Sequence, residues 1–371
     1  MCFRPEGPLT MRWPWQRKSS ADLLVVSWSD QTLAYVRARP VGRGYEVTGM
    51  GVERQGGDSR EDLLQRLQAL GLKGLQAHIM LRPEQYQFLQ IDAPAVPPEE
   101  LRAAARYQVR DLVNSHLDDI TLDVMRLGDG QEKGQAHLFV VATQNTVVRD
   151  AMALADAMQW DVSVIDVQET AQRNLQSLVA QGDGSTERAT AALVLTDGKQ
   201  ALLTISANEE LYYTRRLELP DGFMAMAWGQ GGVAAAPESY TPVSEYVPDY
   251  SVGGVAYGND YSDARSSAPG LGVGNAAQAD HERAQRLVVE VQRSLDLWER
   301  SWTQLHLAGV RVFAGARSQE LADWLGREIG QTVGVLDIAT QWTGLPPMDT
   351  EDAAYCLPLV GVLLRTEVRN L

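Results

Sequence analysis

The sequence predicts an α/β protein of two similar lobes, each running β-β-β-α-β-α, with a small α+β subdomain inserted in the first and a disordered loop in the second. Three observations carry this. Sets of three closely spaced strand patterns begin near residue 23 and again near residue 191. Alternating helix and strand patterns follow each set, as expected for a duplicated unit. The second copy is interrupted by a Gly, Ala, Ser, Pro and Tyr-rich stretch over 229–280 that has almost no Leu or Ile to bury. The 371 residues are enough for two domains of ordinary size.

In the first copy, residues 23–27, 32–39 and 45–53 read as a meander, turned at Ser29-Asp30 and at Pro40-Val41-Gly42-Arg43-Gly44. Ser59 is placed to cap a helix, with Asp62 three residues on and Leu63, Leu64, Leu67 and Leu70 along one face until Gly71. Residues 76–81 return as a strand. Pro97-Pro98-Glu99-Glu100 then opens a helix through Val113, because proline fits the first turn and acidic residues suit a helix N-terminus. With strands around 86–91, 121–126 and 137–142, that helix forms the inserted subdomain, about 82–143. A helix over 145–160 and a strand over 162–167 complete a first lobe of 21–187.

The second lobe, 188–371, opens with strands over 191–195, 200–206 and 211–219, the first two joined by the tight-turn pair Asp197-Gly198. The 229–280 stretch reads as disordered, and closing a loop of that length costs roughly 3–4 kcal/mol, which a folded domain can carry. Its tyrosines, Tyr240, Tyr246, Tyr250, Tyr257 and Tyr261, are either interaction points or tolerated residues. Gly270-Leu271-Gly272-Val273-Gly274 has no strand feeding it and reads as linker rather than a dinucleotide fingerprint. A helix over 282–302, a strand over 305–313, a helix over 319–329 and a strand over 332–338 follow. An apolar C-terminal helix is expected to pack back on the first lobe.

Composition excludes several classes of function. With 33 Lys+Arg against 48 Asp+Glu, the net charge of −15 leaves no basic stripe for a general nucleic-acid binder. Two cysteines, Cys2 and Cys356, exclude a disulfide framework and suit a reducing compartment. No run of 18 apolar residues occurs and the start has no secretory apolar core, so a cytoplasmic protein is expected. The five histidines show no i,i+4 pairing, and no P-loop or GxSxG elbow is present, so neither a metal site nor a catalytic group is assigned. Residues 1–20 read as a flexible segment in which Trp13 and Trp15 alternate with Arg17 and Lys18. Two readings stay open there: a disordered tail, or a peripheral contact with an anionic membrane surface.

The duplicated plan is actin-like, of the ASKHA type, and the sequence resembles the PilM family of actin-fold assembly proteins. The nearest resemblance is to its MshI branch, which serves biogenesis of the mannose-sensitive haemagglutinin (MSHA) type IV pilus. The resemblance rests on Met11-Arg12-Trp13-Pro14-Trp15-Gln16-Arg17-Lys18, the stretch from Pro97 to Asp111, Phe139-Val140-Val141-Ala142, Val164-Ile165-Asp166-Val167 and the closing stretch from Leu357 to Arg365. It implies a scaffold at the cytoplasmic face of the bacterial inner membrane, gripping the cytoplasmic tail of a PilN- or MshJ-like single-span protein alongside other pilus assembly proteins. The tail groove lies between the inserted subdomain and the first domain. Tyr86, Phe88, Arg102, Arg106 and Arg110 are its candidate contacts, the alternative being that the aromatics pack under the helix and the arginines form its solvated face.

The same superfamily clasps phosphates between two hairpins, each with an Asp for metal-bound water and a Gly for close backbone approach. Here the expected Asp falls on Ser27, the Gly on Ser29 and the basic residue on Ala34. In the second hairpin, Leu195, Asp197 and Ala201 take the Asp, Gly and Thr slots. Of the adenosine-binding glycine pair, Gly309 remains beside Val310. Ser27, Ser29, Asp30, Thr196, Asp197, Gly198 and Gly309 are therefore the candidates for a vestigial nucleotide cleft, the other reading being ordinary hairpin turns, with no cofactor expected. A shift of one or two residues restores Asp30 and Asp197 to acidic roles, and the alternative is then an ATP- and magnesium-dependent switch or weak ATPase.

Overall fold

The computed structural model describes residues 22–29, 31–42, 44–127, 137–196, 198–228, 272–339, 342, 345–347 and 351–366. β1 (Leu23–Trp28), β2 (Thr32–Val41) and β3 (Gly44–Arg54) form an antiparallel meander. Leu23, Leu24, Val25 and Val26 are all buried, because helices cover both faces of the sheet. α1 (Arg60–Ala69) starts at the expected cap: the Asp62 N–H donates to Ser59 Oγ at 3.2 Å, and the Ser59 N–H donates to the Asp62 carboxylate at 3.1 Å. β4 (Gln76–Met80) then pairs parallel to β1.

From there the chain builds the inserted subdomain: β5 (Tyr86–Asp92), α2 (Leu101–Gln108), β6 (Ile120–Arg126) and β7 (His137–Gln144), with strand order β5-β7-β6. α2 is shorter than the sequence pattern implies. Tight 3-10 turns at Pro98–Glu100 and Val109–Asp111 flank it, the first where consecutive prolines remove N–H donors. α3 (Asn145–Met158) returns to β8 (Asp161–Asp166), which pairs parallel to β4.

α4 (Gln168–Gly182) has no counterpart in the sequence reading, because its buried face carries Glu169, Gln172, Arg173 and Gln176 and so breaks the apolar period. The second lobe contains β9 (Ala189–Leu195), β10 (Gln200–Ala207), β11 (Glu210–Glu218), α5 (Gly272–Ser301), β12 (Leu307–Phe313), α6 (Ser318–Ile329), β13 (Val333–Val335) and α7 (Glu351–Leu363). Residues 229–271 of the expected disordered loop lie outside the described residues. Its last part, 272–280, is instead the start of α5, where Ala276, Ala277, Gln278 and Ala279 are strong helix formers.

The two five-stranded sheets have one topology, β3-β2-β1-β4-β8 and β11-β10-β9-β12-β13, each with an antiparallel meander followed by parallel additions. Their closing helices are exchanged. α4 ends the first lobe but packs on β9, β10 and β11, whereas α7 ends the second and packs on β1, β2 and β3. They cross where a Cβ on Gly361 would run into the Ala171 carbonyl, so only glycine lets the backbones approach. Leu357, Leu359, Val360 and Val362 of α7 are fully buried, each contributing about 1.5–3 kcal/mol. No helix among the described residues is long and apolar enough to cross a membrane.

Candidate functional site

Two concavities meet α4. One is a cleft between the lobes, a cavity of about 440 Å³ facing the β1–β2 and β9–β10 hairpins. Ser27, Ser29 and Thr32 line it from the first hairpin, and Thr196 and Lys199 from the second. The first hairpin is closed by the Ser29 N–H donating to the Thr32 carbonyl at 2.8 Å. In the second, Gly198 sits at φ +70°, a left-handed conformation suited to glycine.

The cleft is partly occupied by the chain itself. Arg82 donates to Thr32 Oγ1 at 2.8 Å, and its guanidinium lies 5.9 Å from the ring centroid of Tyr355 on α7, bridging the first hairpin to that helix. At the second hairpin, beside the cavity lining, Met224 Cγ lies against Gly198, 3.1 Å from where a Cβ would stand. The segment around Met224 is held by Arg317, which donates to the Met224 and Met226 carbonyls and stacks 3.7 Å over Trp228. Leu195 is a core residue of the second lobe. The Ser27 hydroxyl is buried and has no hydrogen-bond partner among the described residues.

Of the expected cleft residues, Ser27, Ser29, Thr196 and Gly198 are at the hairpins, while Asp30 and Asp197 lie outside the described residues. Gly309 does not belong with them. It pairs with Thr190 inside the sheet, five strand positions from Leu195 and so about 16 Å from the cleft end. The glycine that ends β12 at the turn into α6 is Gly315, at φ +56°. Trp13, Trp15, Arg17 and Lys18 also lie outside the described residues.

Beside the cleft is a buried polar cluster joining three parts of the molecule. Glu169, on the first turn of α4 and 1% exposed, accepts from the Tyr86 hydroxyl and from Arg216 of β11 at 2.7 Å. Arg216 also donates to the Pro83 carbonyl at 2.7 Å and stands 4.5 Å from the Tyr86 ring centroid. Burial, and then the Glu169 charge, hold the Tyr86 hydroxyl well above its usual pKa, keeping it a donor.

The second concavity is a groove between the inserted sheet and the first lobe, a cavity of about 140 Å³. Consecutive residues of β6, from Asp123 to Arg126, line it from one side, and Ile165, Asp166 and Val167 from the other. Side chains alternate across a strand, so consecutive lining residues mean that strand edges face the groove. β6 and β8 are indeed edge strands of their sheets. Val141, Thr170, Arg173 and Arg365 add to the wall, together with Glu210 of the second lobe. Asp166 anchors it, accepting from the Val167 N–H at 2.8 Å, from the Thr170 hydroxyl and from Arg365 at 2.8 Å.

The residues nominated from the sequence for a tail groove do not themselves line this concavity. Tyr86 is 5% exposed and committed to Glu169. Phe88 packs against Phe139, ring centroids 5.1 Å apart and tilted by 49°, beside the second-lobe core. α2 packs on the opposite face of the inserted sheet, over Leu122, Leu138 and Val140. Arg106 donates to the Leu117 and Ile120 carbonyls, and Arg110 pairs with Asp111 at 3.2 Å. Arg102 reaches the groove rim through Asp123 at 3.1 Å, while Tyr86 and Phe88 pack behind it in one apolar cluster with the lining residues Val141 and Val167. Met125, Arg126, Ile165 and Arg173 were missed because they converge from elements far apart in sequence.

No family model matches the chain, and no curated protein matches it. Among solved structures, a chain of a PilM–PilN type IV pilus biogenesis complex overlays with a TM-score of 0.62 at 17% identity, covering 92% of this chain and 98% of that one. A Bacteroides thetaiotaomicron protein with an actin-like ATPase fold and unknown function gives 0.45 at 9% identity, covering 87% and 95%. The cytoplasmic domain of EpsL, an inner membrane component of the type II secretion system of Vibrio cholerae, gives 0.37 at 14% identity, covering 53% and 71%. The repeated sheet topology, the exchanged helices and the overlay with the pilus chain identify an actin-like fold.

Proposed function

We propose that this chain is a non-catalytic scaffold of a type IV pilus assembly platform, working at the cytoplasmic face of the bacterial inner membrane. It grips the cytoplasmic tail of a PilN- or MshJ-like single-span protein, and the MSHA type is the pilus its sequence suits. The observation that carries this reading is the overlay of 92% of the chain on a chain of a PilM–PilN complex. The groove supports it: two strand edges and the half-exposed Ile165 suit an extended segment, which can add main-chain hydrogen bonds and seat a side chain. The cleft supports it from the other side. Its first hairpin carries serines where carboxylate and glycine would hold a metal nucleotide, and at the second Met224 lies against Gly198. A second reading, an ATP-dependent switch, draws on the cleft's volume and the buried Ser27 hydroxyl.

Calorimetry with a synthetic peptide of the PilN-like tail tests the first reading. Ile165→Asp is expected to weaken binding about tenfold or more by placing a charge in the groove, and Arg110→Glu to leave it unchanged. Absence of binding to the unmodified chain defeats the scaffold reading. Binding indifferent to Ile165→Asp removes the groove from it.

A further inference from the structure

We propose that the Tyr86–Glu169–Arg216 cluster couples the interlobe cleft to the groove, so that the angle between the lobes sets the groove's width and an occupant of the groove biases that angle. The inference rests on the groove being the docking site proposed above. The inserted subdomain is joined covalently to the first lobe, through residues 81–85 and the β7–α3 junction. Its inner face, however, packs on the second lobe. Leu127 and Phe139 belong to one apolar cluster with Leu211, Tyr212 and Leu217 of β11, and Phe88 and Met125 pack against it. The subdomain is thus hinged to the first lobe and wedged against both, Phe88 and Val141 packing also on Leu81 and Val167, and the groove is the gap left between its β6 edge and the β8 edge of the first lobe, with Glu210 of the second lobe beside it.

The cluster sits at that hinge. Arg216 reaches from the second lobe to the Pro83 carbonyl, in a segment whose Arg82, Pro83 and Glu84 line the cleft. Tyr86 follows at once and ties the start of β5 to Glu169, while its oxygen accepts from the Gln168 N–H at 3.1 Å. α4 completes the link: Gln168 lines the cleft, Glu169 holds the cluster, and Thr170 and Arg173 line the groove within two turns of one helix. Taking one partner from a buried charged pair leaves the other unpaired, so the contact tends to hold or break as a unit. Two cavities that bias one such contact are coupled, and the coupling acts equally in both directions.

Hydrogen exchange of the full chain, followed by mass spectrometry, tests this without any partner. Arg216→Met is expected to speed exchange about tenfold in β6 and β8, the groove strands, with Tyr86→Phe acting in the same direction but less, and β9 and β10 staying protected. Tyr86→Phe removes only a hydroxyl, which keeps the test open if Arg216→Met unfolds. The inference is overturned if β6 and β8 exchange as before while only residues 83–86 loosen, or if β9 and β10 accelerate equally. Because no tail enters the experiment, its failure is separate from a failure of the scaffold reading.

Discussion

α4 and α7 hold the same position in their lobes, yet their interfaces are opposite in chemistry. α7 meets the first sheet with an apolar face of Leu357, Leu359, Val360 and Val362. α4 meets the second with amides: Gln172 donates to the Ala192 and Leu202 carbonyls at 3.0 Å and to Thr204 Oγ1 at 2.9 Å, and Gln176 donates to the Thr190 carbonyl at 2.7 Å and accepts from Thr204 Oγ1 at 2.6 Å. An apolar face supplies adhesion and tolerates small slips, whereas a row of amides fits one register only. The helix that walls both concavities is therefore the one whose placement is fixed by hydrogen bonds.

The crossing point breaks the comparison most severely. Gly361→Val drives a side chain into the α4 backbone and forces the two helices apart, and chemical denaturation is expected to show a loss above about 3 kcal/mol. A more modest pair sharpens it. Gln172→Leu removes donors from buried acceptors and is expected to cost about 1–3 kcal/mol. Leu359→Met, which preserves volume in the apolar face, should stay below about 1.5 kcal/mol. Equal costs for these two would mean that the amides add no register of their own.

The smallest effect concerns His78 on β4. Burial, aided by the Arg365 charge and opposed by Asp166, lowers its pKa below the usual 6.5. The unfolded chain then takes the proton first, so stability is full above pH 6.5 and declines as the pH falls through that value toward the folded pKa. His78→Gln should flatten the slope of Tm between pH 7 and 5, a contribution below about 1.4 kcal/mol per pH unit. An unchanged slope would assign that pH dependence to other groups.

The meanders were legible because their turns carry the signal: Ser29 at the first and Gly198 at the second sit where the backbone needs a hydroxyl or a left-handed residue. The start of α1 was legible for the same reason, through Ser59 and Asp62. α4 was not, since a helix whose buried face is Glu169, Gln172 and Gln176 reads as polar, and the acceptors that justify those amides lie in another lobe. The residues that line the second concavity were not legible in the sequence. Asp123, Ile165, Arg173 and Arg365 meet only through the exchange of helices and the return of the chain's end to Asp166. That Gly315, and not Gly309, lies at the end of β12 was not legible because periodicity does not show where a strand ends.

The claim that the groove, and not the cleft, is the working site is tested most directly by calorimetric titration of the full chain with magnesium–ATP. With serines in the first hairpin, Arg82 spanning to Tyr355 and Met224 over Gly198, no saturable heat is expected below about millimolar nucleotide. Saturation at micromolar nucleotide would contradict the account.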